Sequence, residues 1–117
     1  MSHDPHLDEE TFLQSTMGDA RLARMIVDAY LQASPDLLVR CLECRDAGDL
    51  KEARRAIHTV KGSAMALGLT QLAQACQGVE SRLDQGDLAI DHALGEVAAL
   101  FESSRSALGE ALARLEA

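Results

Sequence analysis

At 117 residues and a formal charge of −8, the chain is large enough for one core and too small to hold a nucleotide-binding lobe beside it. Abundant alanine and leucine, two prolines, three aromatic residues and no tryptophan point to a helical bundle with an aliphatic core rather than a β-sandwich. The acidic balance argues against nucleic acid or an anionic membrane surface as the main partner, because both select basic proteins.

No apolar run approaches the ~20 residues of a membrane span, and no basic segment leads into a hydrophobic one at the N-terminus, so a cytoplasmic location is expected. Three cysteines fit a reducing compartment better than a disulfide framework. Cys41 and Cys44 have C-x-x-C spacing, but no second cysteine pair or H-x-x-H follows. They read as core or half-buried thiols, and no metal is expected in this chain.

Periodicity predicts six helical segments and no strand. In Leu7-Asp8-Glu9-Glu10-Thr11-Phe12, Asp8 is the expected N-cap, acids fill the first turn, and Leu7 is placed to staple onto Phe12. Gly18-Asp19 opens a second helix, with Leu22, Met25 or Ile26, Ala29 and Ala33 at helical spacing. Ser34-Pro35 reads as a restart, with serine as cap and proline at the first helical position. Leu38, Cys41, Leu42 and Arg45 carry that third segment to Gly48. Periodicity leaves open whether the second and third segments are two helices or one kinked rod.

Asp49 and Glu52 form an Asp-x-x-Glu capping box, after which Leu50, Ala53, Ile57, Val60, Ala64 and Leu67 make a buried stripe. Gly68 ends this helix. Leu69, Leu72, Cys76, Val79 and Leu83 repeat the pattern up to Gly86. Asp87 restarts the chain, and Ile90, Leu94, Val97, Phe101, Ser104, Leu108, Ala111 and Leu115 hold register to the C-terminus. Short connections make neighbouring helices antiparallel. The expected fold is all-α: one domain over 1–117, with an antiparallel up-down four-helix bundle at 34–117 and one or two accessory helices in 1–33. A self-contained bundle of this kind favours a monomer.

His58 follows Ile57 and so sits at the shoulder of the buried stripe, with Lys61 at i+3 and Gly62 at i+4. Helical side chains lean toward the N-terminus, so a residue at i+4 covers the one at i. With glycine there, the imidazole stays open, and Lys61 leans toward it. Glycine costs a helix interior roughly 1 kcal/mol relative to alanine, and access to His58 is a reason to bear that cost. Lys51, Arg54, Arg55 and Lys61 place four of the eleven basic residues around His58, a surround suited to phosphoryl oxygens. Arg54 is the stronger candidate of the two arginines. Counting outward from Gly68, His58 faces residues 77–80 of the next helix. Glu80 there would fix the imidazole tautomer and leave the other nitrogen as nucleophile, and a shift of one turn would give that role to Gln77. His3, His6 and His92 lack this pattern, and no pair of histidines has metal-ligand spacing.

The run His58-Thr59-Val60-Lys61-Gly62-Ser63-Ala64-Met65-Ala66-Leu67-Gly68 resembles the H-x-x-K-G-[SA]-[SA]-x-x-x-G signature of histidine-containing phosphotransfer (HPt) domains. The resemblance extends from Gly48-Asp49 through Leu72, Cys76 and Glu80. It implies that His58 accepts and donates a phosphoryl group, that Lys61 steadies its charge, that Gly62 makes room for the partner, and that a polar residue at Glu80 bonds to the histidine. Ser63 falls on a small-residue position suited to close packing. The implied partners are response-regulator receiver domains and a hybrid sensor histidine kinase, with Mg²⁺ supplied by the receiver. Nothing here matches a kinase's nucleotide-binding boxes, so the expected role is that of a phosphocarrier rather than an independent enzyme. Receiver docking in such bundles implies an apolar patch, for which Ala64, Met65, Leu13 and Met17 are candidates. The alternative is a bundle that binds receivers as a competitor or scaffold without accepting phosphate.

Overall fold

A computed structural model describes residues 7–117, so His3 and His6 lie outside the described residues. These residues form five helices and no strand: α1 (Glu9–Thr16), α2 (Ala20–Asp46), α3 (Leu50–Ala66), α4 (Thr70–Asp84) and α5 (Asp91–Glu116). The helices α2, α3, α4 and α5 each pack against the next, and α5 returns to α2, while α1 rests on α2 and α3. Arg24 near the start of α2 pairs with Glu116 at the end of α5, and Arg45 near the end of α2 pairs with Asp91 at the start of α5. The two helices therefore run in opposite directions. No helix among the described residues is long and apolar enough to cross a membrane.

Asp8 caps α1 by accepting from the backbone N–H groups of Glu10 and Thr11, and Leu7 and Phe12, the staple pair, are both buried. The Asp8 N–H also donates to the Gly68 carbonyl at 2.7 Å, tying α1 to the α3–α4 turn. Gly68 has φ +78°, and a Cβ there would collide with the Asp8 carbonyl oxygen. Glycine is needed at this turn on both counts.

The restart at Ser34-Pro35 is not realised, because α2 is one helix of 27 residues with Pro35 inside it. The residue 33/34 boundary between accessory and core segments thus falls within a helix. A proline in a helix interior costs about 3 kcal/mol. The offset is burial of a stripe that crosses it: Ala23, Val27, Tyr30, Ser34 and Cys41 all face the core. This face lies one residue later than the expected one, leaving Met25, Ala29 and Ala33 exposed. Two polar side chains disguise it. The Tyr30 hydroxyl meets Ser104 Oγ at 2.9 Å across the core, and burial pushes its pKa up to about 12.

The remaining helices follow their expected stripes, with corrections at their ends. Asp49 accepts from the Glu52 N–H, but Glu52 does not return the bond; its carboxylate turns to Arg40 and Arg55 instead. Helix α5 starts at Asp91 rather than Asp87, whose carboxylate accepts from the Ala89 N–H within the preceding turn. Arg45 is a clamp and not part of an apolar stripe, since it reaches Asp91 and the Leu88 carbonyl. Cys41, Cys44 and Cys76 are free, and burial raises the Cys41 thiol to about 11 and Cys76 to about 12.

Candidate functional site

His58 occupies the exposed shoulder of α3, with its side chain 57% accessible, whereas Glu80 on α4 is only 2% accessible. Glu80 is buried because it follows Val79 and stands one turn beyond Cys76, both part of the core. Its carboxylate is fully engaged. Oε1 lies 3.0 Å from both His58 Nδ1 and Lys61 Nζ, and Oε2 lies 3.4 Å from an Arg54 guanidinium nitrogen. The register count left Glu80 and Gln77 open; it is Glu80 that meets His58. Gln77 instead accepts from Lys61 Nζ at 2.8 Å and donates to Ser81 Oγ at 3.2 Å.

Burial alone would raise the Glu80 pKa, but hydrogen bonds and charge from Lys61 and His58 outweigh it and hold the carboxyl below its ordinary 4.5. An ionised carboxylate accepts and cannot donate, so at neutral pH the Nδ1 position carries the imidazole proton. The lone pair of the neutral ring is then on Nε2. Geometry and charge together leave one ring nitrogen with an accessible lone pair.

Space around the imidazole is uneven. Toward the N-terminal end of α3, Lys51, Arg54 and Arg55 join His58 in a cleft of about 230 Å³. Toward the C-terminal end, Lys61, Met65, Ala73 and Gln77 line a wider groove shared with Thr11 of α1. A Cβ built on Gly62 meets nothing within 4 Å, so the fold does not require glycine there. The same holds for Gly78, Gly95 and Gly109. What distinguishes Gly62 is its place one turn after His58. Among the docking candidates, Leu13, Met17 and Met65 are exposed, with Met17 81% accessible. Ala64 is wholly buried and is withdrawn as a surface residue, because it belongs to the core stripe of α3.

Asp84 was not singled out by the sequence, yet its carboxylate lies 2.7 Å from Arg54 Nε. The available signal was spacing: Asp84 stands at i+4 from Glu80 and Ser81 at i+4 from Gln77, on faces turned toward α3. His92 is fully at the surface and lies 3.3 Å from Glu96 on its own helix. Among the described residues, no group of three or more His, Cys, Asp or Glu side chains is arranged to hold a metal ion.

The family model of the Hpt domain matches residues 25–117. The chain belongs to the Hpt domain family. Neither the curated proteins nor the solved structures give a match. Hpt domains are helical phosphocarriers of two-component phosphorelays that interact with receiver domains. In this Hpt domain the matched residues take in all of α3, α4 and α5 and most of α2, hence every side chain around His58. Helix α1, which contributes Thr11 to the groove beside Lys61, precedes the match.

Proposed function

We propose that this Hpt domain, an antiparallel up-down four-helix bundle over α2–α5, carries a phosphoryl group on His58 between receiver domains in the cytoplasm. The observation that carries this reading is the His58 Nδ1–Glu80 Oε1 bond at 3.0 Å beneath a ring that is otherwise open. His58 Nε2 attacks the phosphorus of a receiver's aspartyl phosphate. The N–P bond forms as the P–O bond to the aspartate breaks, and the aspartate leaves as a carboxylate. The imidazole keeps its Nδ1 proton and becomes positively charged on phosphorylation, and the ionised Glu80 offsets that charge. Transfer onward is the reverse step, with the aspartate of a second receiver as nucleophile.

The roles of the other side chains follow from their positions. Lys61 presents positive charge beside the ring, and Arg54 holds the far oxygen of Glu80 while pairing with Asp84. Gly62 leaves the approach clear for in-line attack. Mg²⁺ belongs with the receiver, whose acidic site faces the basic cleft of Lys51, Arg54 and Arg55. A hybrid sensor histidine kinase would be the source of the first aspartyl phosphate. A monomeric carrier suffices for this chemistry.

The test is transfer of radiolabelled phosphate from a panel of phosphorylated, Mg²⁺-loaded receiver domains. The wild type should be labelled, and His58→Gln should take no label while keeping its helical circular dichroism. Label retained on His58→Gln removes His58 from the role. Receiver binding without label on the wild type would favour a non-transferring bundle.

A further inference from the structure

Lys61 is not a free cation. Its side chain is 17% accessible, and its ammonium is bound on two sides, by Glu80 Oε1 at 3.0 Å and by Gln77 Oε1 at 2.8 Å. An ammonium has three N–H donors at tetrahedral angles. One fixed acceptor leaves the group free to swing about that contact, whereas two acceptors set the direction of the third donor. The second acceptor is itself held, because Gln77 Nε2 donates to Ser81 Oγ one turn further along α4. Since an ammonium can only donate, it meets the amide oxygen and leaves the amide nitrogen to Ser81. Donation therefore runs outward from Lys61 along two arms, one through Gln77 to Ser81 and the other to the carboxylate that also orients His58.

Gln77 has no packing reason for this arrangement. Gln77 lies on the exposed side of α4 and fills no part of the core. An exposed glutamine ordinarily exchanges its partners with water, and its hydrogen bonds add little to stability. Here the bonds fall on the lysine that shares the Glu80 carboxylate with the candidate phosphoryl acceptor.

We propose that Gln77, braced by Ser81, is a positioning residue for phosphoryl transfer, anchoring the Lys61 ammonium so that its third N–H is presented to the phosphoryl group on His58. This rests on His58 being the acceptor. Gln77 does not touch the reacting atoms and acts through Lys61.

Labelling rates from one phosphorylated receiver are compared for wild type, Gln77→Ala, Lys61→Ala and the double variant, alongside exchange of the Lys61 Nζ protons with water by NMR in the unphosphorylated protein. Gln77→Ala should label about fivefold more slowly with an unchanged thermal melt, and the effect should vanish in the Lys61→Ala background. Its Lys61 protons should exchange faster than in wild type. Equal slowing in both backgrounds, or no slowing, overturns the proposal. So does Lys61 exchange indifferent to Gln77 in a wild type that labels normally. A wild type that no receiver labels brings down the assignment of His58 and the brace with it.

Discussion

The pairs Tyr30–Ser104 and His58–Glu80 both join neighbouring helices through polar side chains, and they differ in one respect. Between α2 and α5, Tyr30 and Ser104 are both buried, and each hydroxyl is satisfied within the core. Between α3 and α4, Glu80 is buried but its partner His58 is not. The first pair closes on itself and serves packing, since a buried hydroxyl without a partner is costly. The second pair has one anchored end and one end in solvent. It holds an imidazole in a fixed orientation while leaving one ring nitrogen accessible, and the chemistry proposed for this molecule lies with the pair that is left open.

Substitutions can break or sharpen that contrast. Among variants that keep His58, the largest effect is expected from Gly62→Gln, whose side chain would lie over the imidazole: label transfer to His58 should fall by roughly 10-fold or more. Circular dichroism should show no loss of helix, because the site beyond the Gly62 Cα is open space. Normal transfer by this variant would mean that the glycine does not govern access. Gly62→Ala separates sterics from stability, since it should raise unfolding free energy by up to about 1 kcal/mol in urea titrations.

Glu80→Gln keeps the shape of the anchor and removes its charge. Transfer should slow by roughly 10-fold, because the positively charged phosphoimidazole loses its counter-charge. The same variant has a pH signature. The folded-state pKa of Glu80 lies below its ordinary 4.5, so ionised Glu80 stabilises the fold above that value, and the contribution is lost as pH falls through the depressed pKa. Acid titration of stability should therefore be shallower in Glu80→Gln than in wild type between the two values. Parallel curves would show that the carboxylate is not held as the distances imply.

The smallest effect should come from Tyr30→Phe. It removes one hydroxyl from the closed pair while Ser104 keeps its bond to the Phe101 carbonyl. Stability should drop by about 1 kcal/mol with label transfer unchanged. A transfer defect in this variant would show that the two pairs are not independent.

Legibility in the sequence followed the same division. The stripes of α3, α4 and α5 could be read because mostly apolar residues recur there at helical spacing, with Ser104 the one polar member, and the cap at Asp8 because its chemistry is local. The core face of α2 was displaced by one residue because Tyr30 and Ser34 look polar in sequence and are buried in the fold. Pro35 suggested a break for the same reason: local preference favoured a helix start, and packing on both sides of it prevailed. At the site, His58, Lys61 and Gly62 were readable from spacing on one helix. Contacts between helices needed the register of the α3–α4 hairpin, which is why Glu80 and Gln77 could be named but not distinguished. Asp84 was missed because an exposed aspartate at a helix end has many possible partners, and only the structure brings it to Arg54.

The most direct test of the arrangement is to locate the phosphorus on the ring. With Nδ1–H held by Glu80, phosphorus–nitrogen NMR of the protein labelled by a phosphorylated receiver should show the phosphoryl group on Nε2 of His58, with the Nδ1 proton retained. Phosphorus on Nδ1, or on any other side chain, would contradict the role given to Glu80 and with it the reading of the site.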